Sequence, residues 1–296
     1  MSTIGVLARA DLQEAGPVVR ELVDWLRERG HRPCLEEATA ALGGPGVESG
    51  CLVASGGELA GLADALVVLG GDGTLLAASR LLERPIPVLG VNFGSLGFLT
   101  EITLPELYPT LEGVLDGRFE HEDRRLLRAV VRRQGRDDVT EDVLNDVVVT
   151  KAGPSRIIEV DVAVDGFFVS SFRADGMIVS SPTGSTAYNL AAGGPILRPT
   201  LPAMVVTPIC PHMLSNRPLV VGDESRVEVR LRAARGVEVY TALDGQETFA
   251  LADGDGVTVT GSPSRLKLVT ARGRDHFEVL RTKLKWGDSS VNDRRR

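Results

Sequence analysis

The sequence predicts an α/β domain of parallel strands followed by a β-rich domain. Three observations carry this. Strand-like and helix-like runs alternate from residue 3 to about residue 118. Beyond about residue 120 apolar residues recur at two-residue spacing instead. Within the first of these textures, the glycine-rich run Leu69-Gly70-Gly71-Asp72-Gly73-Thr74 follows directly on an apolar strand and opens a helix. Alternation of the two element types implies a parallel sheet with crossover connections.

Residues 3–8 form the first predicted strand. From Val18 to Glu28 the apolar residues Val18, Val19, Leu22, Val23, Trp25 and Leu26 keep helical spacing, and Gly30 is the stop signal. Residues 36–58, rich in Gly, Ala and Glu, give no assignment. Ala65 to Leu69 are continuously apolar, as in a strand buried on both faces. Leu75 to Leu82 read as a helix ended by Pro85, Ile86 to Val91 as a strand, and Leu104 to Leu115 as a second clear helix.

The later strands are expected at Leu127–Arg132, Val147–Thr150, Ile157–Val164, Phe167–Phe172, Met177–Ser180, Val227–Leu231 and Val257–Thr260. Asp165-Gly166 is a hairpin signature, and Asp244-Gly245 and Asp253-Gly254 resemble it. One helix follows Thr186 through Tyr188, Leu190 and Ala191 until Gly193-Gly194-Pro195 closes it. Arg272 to Lys285 read as a strand returning to the first domain. The polar tail, residues 287–296, is expected to be disordered. The predicted division is a Rossmann-like domain over residues 1–118, rejoined by 271–286, and a sandwich-like domain over 119–270.

A chain of 296 residues with 43% hydrophobic and 25% charged residues fits an ordinary globular protein of about two domains. Its net charge of −7 argues against a general binder of nucleic acid or anionic membranes. No apolar run reaches the ~18 residues of a membrane span. The three cysteines, Cys34, Cys51 and Cys210, form no CxxC pair and indicate neither zinc nor a disulfide framework. With a strand-like run at the very start and no basic leader, these features lead to the expectation of a cytoplasmic protein.

Chemistry gathers in four places. Gly70 to Thr74 suit either a plain strand-to-helix turn or an anion cradle, in which backbone N–H groups at a helix N-terminus receive phosphate. Asp72 is accordingly a turn former or a chemical group. The run is not a P-loop, since GxxxxGK[ST] is absent. Asn145-Asp146 is either a polar turn pair or a set of partners for the two hydroxyls of a ribose. Arg173 and Asp175 share a face of an extended segment, as a surface ion pair or as ligand contacts. Ser181-Pro182-Thr183-Gly184-Ser185-Thr186-Ala187-Tyr188 offers small polar groups and one tyrosine, the composition of a nucleoside pocket, although Thr186 also suits a helix cap. The four histidines form no close set.

Together these runs resemble the bacterial NAD kinases. The matches are Gly70-Gly71-Asp72-Gly73-Thr74, Asn145-Asp146, Arg173-x-Asp175-Gly176, Pro182 to Tyr188, Gly90-Val91-Asn92-x-Gly94-x-Leu96-Gly97-Phe98-Leu99, Gly193-Gly194-Pro195 and Arg217-Pro218-Leu219. They run in order from about residue 64 to 246. The GGDGT run alone is shared with diacylglycerol kinases and phosphofructokinases; the Ser/Thr/Gly run is far more specific.

The resemblance implies transfer of the γ-phosphoryl of ATP, or in some members of polyphosphate, to the 2′-hydroxyl of the adenosine ribose of NAD, giving NADP. It implies a divalent cation, usually Mg²⁺, a homodimer or homotetramer, and an NAD site at the domain junction. By position Asp72 matches the family's catalytic carboxylate. Gly73, Asn145, Asp146, Arg156, Arg173, Asp175, Thr186, Ala187, Tyr188, Asn189, Leu190, Ala191 and Gln246 match NAD contacts. Gly70, Gly71 and Thr74 belong to the phosphate cradle, Thr183 to the nucleoside loop, and Phe98 is a stacking partner for adenine. Many members have Asn-Glu where this chain has Asn145-Asp146. Some place a basic residue early in the helix after the glycine loop, where this chain has none before Arg80.

Overall fold

The computed structural model describes residues 1–286 apart from 95, 154–156, 233–235 and 272. The tail expected at 287–296 and the candidate Arg156 lie outside the described residues. The chain forms two compact units, Met1–Asp123 with the segment from Leu266 onward, and Arg124–Arg265.

The first unit is a parallel sheet with crossover helices. Its elements are β1 (Thr3–Ala8), α1 (Ala15–Glu28), β2 (Arg32–Glu36), α2 (Glu37–Gly43), β3 (Leu52–Ala54), α3 (Gly56–Leu62), β4 (Ala65–Leu69), α4 (Asp72–Arg80), β5 (Pro87–Asn92), β6 (Ile102–Thr103) and α5 (Leu104–Leu115). The strand order β3-β2-β1-β4-β5 is parallel throughout. All five residues of β4 are buried, as their continuous apolar run requires. Val19, Leu22, Val23 and Leu26 of α1 pack with Val6, Leu35, Val67 and Leu89 from the strands. The chain moves from β1 outward to β3, then crosses to the other side of β1 to lay down β4. The strand order therefore reverses between β1 and β4, where open α/β sheets bind ligands outside the carboxyl ends of their strands.

Residues 36–58, which periodicity left unassigned, hold two short helices and a three-residue strand. Their signals are caps. The Glu36 carboxylate accepts from the Thr39 N–H at 3.0 Å, and Ser55 with Glu58 forms a capping box at α3.

The second unit contains β7 (His121–Arg132, from Arg124), β8 (Val139–Val143), β9 (Asp146–Lys151), β10 (Ile158–Val164), β11 (Phe167–Ala174), β12 (Gly176–Ser180), a 3₁₀ turn (Gly184–Thr186), α6 (Tyr188–Ala191), β13 (Ala203–Ile209), β14 (Leu219–Gly222), β15 (Val227–Arg232), β16 (Val239–Leu243), β17 (Glu247–Leu251) and the first part of β18 (Gly256–Val269). One antiparallel sheet has the order β14-β13-β12-β9-β16-β17. In the other, β11-β10-β15-β18 are antiparallel neighbours. Val147, Val149, Met177 and Val179 of the first face Val160, Val162, Val229 and Val257 of the second in one core. The alternate residues Val148 and Ile178 lie on the opposite face, against Ala192. Asp146 and Ser180 share that parity and so that face.

Three expectations need correction. The segment Arg272–Lys285 is no strand: its described part holds helix α7 (His276–Leu284), whose N-cap Asp275 accepts from the Glu278 N–H at 2.9 Å. Residues 267–268 of β18 pair with β5 instead. Asp253-Gly254 makes no hairpin, because β17 pairs with β16 while β18 pairs with β15. Asp255 holds this corner by accepting from Ala252 and Gln134 N–H groups at 2.8 and 2.9 Å. The helix after Thr186 is only the single turn Tyr188–Ala191.

Candidate active site

In the first unit the glycine run ends β4 and starts α4. The Gly70 N–H donates to the Val91 carbonyl at 2.9 Å. A Cβ at Gly70 would lie 2.5 Å from Thr74 Oγ1, so the loop closes this tightly only with glycine. Gly71 is the N-cap, and its carbonyl accepts from Thr74 and Leu75 at 3.0 and 3.2 Å. The positive end of α4 opens on a cleft of about 530 Å³ lined by Arg9, Glu36, Gly71, Gly73 and Thr74 among others. The cleft lies at the carboxyl ends of β1 and β2, beside the reversal of strand order. A helix N-terminus gives it an anion-attracting group, and Arg9 stands at its wall, its guanidinium ion-paired with Asp11 at 2.8 Å. Arg80 stands in the last turn of α4, roughly 12 Å along the axis from the loop at 1.5 Å per residue.

Asp72 is the first helical residue, and four donors hold its carboxylate. Oδ1 accepts from the Leu99 and Thr100 N–H groups, each at 3.0 Å, and from Thr100 Oγ1 at 2.9 Å. Oδ2 accepts only from the Phe98 N–H, at 2.9 Å, among the described residues. Thr100 Oγ1 accepts in turn from Asn92 Nδ2 at 2.9 Å. Gly97 is required here, since a Cβ would fall 2.0 Å from Asp72 Oδ1. A carboxylate offers about four lone-pair sites. Oδ1 is saturated; Oδ2 keeps an acceptor site for an incoming hydroxyl.

The second unit assembles its polar groups at the start of β9. Asp146 pairs with Ser180 at the end of β12, so the loop 181–188 leaves the sheet beside Asn145. The Asn145 carbonyl accepts from the Ser181 N–H at 2.8 Å, and Ser181 Oγ donates to the Leu144 carbonyl at 2.5 Å. Asp244, from the β16–β17 turn, accepts from the Leu144, Asn145 and Asp146 N–H groups at 2.8, 2.7 and 3.1 Å. The Asp146 carboxyl, 5% exposed, takes no hydrogen bond from any described residue. Burial first, and the Asp244 charge second, push its pKa up to about 7. Thr183 Oγ1 is likewise buried without a described partner. Two orphaned polar groups bordering one loop mark a place where a hydroxyl-bearing ligand fits.

The sign of the Asp146 shift sets a stability test. An unfolded aspartate releases its proton near pH 3.9, whereas the native one holds it to about pH 7. The stabilisation linked to this proton is fully present below the unfolded value and is lost as pH rises through the native one. Asp146→Asn is expected to match the wild type in urea unfolding near pH 4 and to be more stable at pH 8, by a few kcal/mol at ~1.4 kcal/mol per pKa unit. Identical pH dependence in the two proteins contradicts this.

The remaining candidates divide. Asp175 pairs with Lys151 at 2.8 Å rather than with Arg173, which corrects the ion pair expected from their shared face; the facing strand offers the nearer cation. Arg173 is exposed, and its carbonyl accepts from the His212 N–H. Tyr188 is 44% exposed. Burial, followed by the charges of Cys210, Asp175 and Asp146, raises its pKa. Thr186 makes no cap: its hydroxyl donates back to the Thr183 carbonyl at 3.3 Å. Asn189 is fully buried, and its amide bonds Ser185, Pro195 and Thr207, so its side chain fixes the loop. Ala187 and Leu190 are half-buried, and Ala191 and Gln246 are exposed. Phe98, half-buried, has Lys283 Nζ 5.8 Å over its ring. Sequence reasoning missed Arg9 and Lys151, lone polar residues at strand ends with no motif around them, and Thr100, which stands one residue past the Gly90–Leu99 motif. Of Asp244 it saw only a turn.

Among the described residues no group of three or more His, Cys, Asp or Glu forms a metal site, and no helix is long and apolar enough to cross a membrane. Residues 4–119 match the family model "ATP-NAD kinase N-terminal domain", and residues 144–271 match "ATP-NAD kinase C-terminal domain". The NAD kinase of Syntrophotalea carbinolica is 46% identical over 97% of this chain and 100% of its own length. That of Geobacter sulfurreducens is 47% identical over the same shares. Among solved structures, yeast NADH kinase complexed with NADH has a similar fold, with a TM-score of 0.90 at 23% identity over 98% of this chain and 89% of its own. An NAD kinase from Archaeoglobus fulgidus in complex with ATP gives 0.75 at 25% identity over 95% and 98%. With relatives this similar along nearly its whole length, the chain belongs to the NAD kinase family.

Proposed function

We propose that Asp72 is the general base of an ATP-dependent NAD kinase and that Asn145 and Asp146 hold the adenosine ribose of NAD. The enzyme phosphorylates NAD to NADP with ATP, as its family membership shows. The observation that carries the assignment of Asp72 is the asymmetry of its carboxylate: Oδ1 is fixed by three donors while Oδ2 retains an open acceptor site.

A ribose hydroxyl is a weak nucleophile near neutral pH, and a positioned carboxylate can remove its proton as the new bond forms. The 2′-oxygen attacks the γ-phosphorus, the bond from that phosphorus to the β–γ bridging oxygen breaks, ADP leaves, and the proton passes to Asp72 Oδ2. The Gly70–Gly73 backbone, Thr74 and the α4 N-terminus receive the triphosphate, with Arg9 at the cleft wall. Asp146 and Thr183 supply the unpartnered polar groups for the ribose side. Tyr188 and the Thr186–Ala191 turn frame a base, Asp175 accepts from an amide of the dinucleotide, and Arg173 and Gln246 line its edge.

The donor set also fits Mg²⁺, which keeps several waters and binds chiefly through substrate phosphates with one or two carboxylates. It would enter on the triphosphate at the glycine loop, near Asp72, whose open Oδ2 site belongs to the ribose hydroxyl. When bound, the ion neutralises charge on the phosphates.

The exposed Phe167, Phe168 and Val169 on β11 support a homodimer or homotetramer, and three free cysteines support a reducing cytoplasm. The assay is direct. Protein with NAD, ATP and Mg²⁺ is expected to yield a product that an NADP-specific dehydrogenase reduces. Absence of that product with all three present contradicts the proposal.

A further inference from the structure

Asp244 has no part in the chemistry above, yet it is a buried carboxylate on which three backbone N–H groups converge. It sits in the turn Asp244-Gly245 with φ of 51° and 65°, and its own N–H donates to the Asp146 carbonyl at 3.0 Å. A left-handed φ is uncommon outside glycine, though aspartate tolerates it. This turn aims the carboxylate at the start of the neighbouring strand β9, at residues 98–100 positions earlier in the chain.

We infer that Asp244 is the positioning residue for the ribose-binding pair: its two oxygens fix the backbone of Leu144, Asn145 and Asp146, so that the Asn145 amide and Asp146 carboxyl meet the sugar hydroxyls preorganised. The inference rests on the reading of Asn145-Asp146 given above.

Two features support it. Oδ2 serves Leu144, and Oδ1 serves Asn145 and Asp146, so both oxygens are needed. Charge-assisted bonds of this kind are about twice as strong as neutral ones. Second, the charge of Asp244 reaches Asp146 and helps to raise its pKa. Among the described residues Tyr188 also interacts with Asp146, and it is itself affected by Asp175 and Cys210. Asp244 therefore fixes the place of its neighbour and, after burial, adds to its hold on the proton.

Asp244→Asn presents one acceptor oxygen and turns an NH₂ toward a backbone donor. We expect KM for NAD to rise about 10-fold, the effect of roughly one unmet polar group at 1.4 kcal/mol per decade, with KM for ATP nearly unchanged. The limb expected near pH 7 in the wild-type dependence of KM for NAD on pH, where Asp146 ionises, should move to lower pH in the variant, since loss of Asp244's charge lets Asp146 ionise more readily. A role confined to stability moves neither the NAD/ATP split nor that limb. An unchanged KM for NAD and an unmoved limb in Asp244→Asn overturn the inference while Asp146→Ala still raises KM for NAD. If Asp146→Ala leaves KM for NAD unchanged, the ribose reading itself falls and takes this inference with it. Hydrogen exchange on the wild-type protein needs no variant: the Leu144, Asn145 and Asp146 amides are expected to be strongly protected, and rapid exchange there overturns the clamp.

Discussion

Asp72→Asn is expected to lower kcat by at least about 100-fold, the lower end of what a positioned acid–base group contributes. The change is nearly isosteric. The amide oxygen can take the place of Oδ1 and keep the bonds from Leu99, Thr100 and Thr100 Oγ1. The NH₂ then stands at Oδ2, where it cannot accept a proton and faces the Phe98 N–H. One lost hydrogen bond is worth about 1 kcal/mol, so the protein should fold, with KM for NAD changed little. Steady-state kinetics beside urea unfolding separates the two effects. A variant turning over near the wild-type rate removes Asp72 from the chemistry.

Gly184→Ala should be the most damaging change in the second unit. A Cβ there would lie 2.2, 2.5 and 2.6 Å from the Asn145 carbonyl oxygen, carbonyl carbon and Cα. All three are backbone atoms, held from the far side by Asp244, and no rotamer change can relieve the contact. Overpacking of this kind costs on the order of 3 kcal/mol, and displacement of Asn145 should raise KM for NAD more than 10-fold by the same conversion of 1.4 kcal/mol per decade. Unfolding midpoint and KM for NAD are the measurements. An alanine tolerated in both would show that the loop does not seat on Asn145.

Much of this was legible in the chain. The continuous apolar run of β4 before Gly70 and the helical stripe of α1 expose a parallel sheet, because burial on two faces and on one leave different periodicities. Asp165-Gly166 marks its hairpin, with φ of 54° and 80°. Other signals were present but were missed or, before α7, misread. Ser55 with Glu58, and Asp275 before Glu278, are caps on helices too short or too weakly amphipathic to show in periodicity. Ala203–Ile209 is a wholly buried strand carrying a proline, Pro208, and lacks alternation. At the site, motif residues were visible, but their partners were not. Nothing in the spacing of Asp72 and Thr100, or of Asp146 and Asp244, shows that folding brings them to hydrogen-bond distance. That pairing belongs to tertiary structure, and so does the difference between Asp175 beside Arg173 in sequence and Asp175 beside Lys151 in space.

The central claim is that Asp72 Oδ2 receives the proton of the ribose hydroxyl. A crystal structure of the protein with NAD and a non-hydrolysable ATP analogue tests it most directly. The account predicts the adenosine 2′-oxygen about 2.6–3.2 Å from Asp72 Oδ2, with Oδ1 still held by Leu99 and Thr100. A 2′-oxygen bonded to another side chain and beyond reach of either Asp72 oxygen would contradict it.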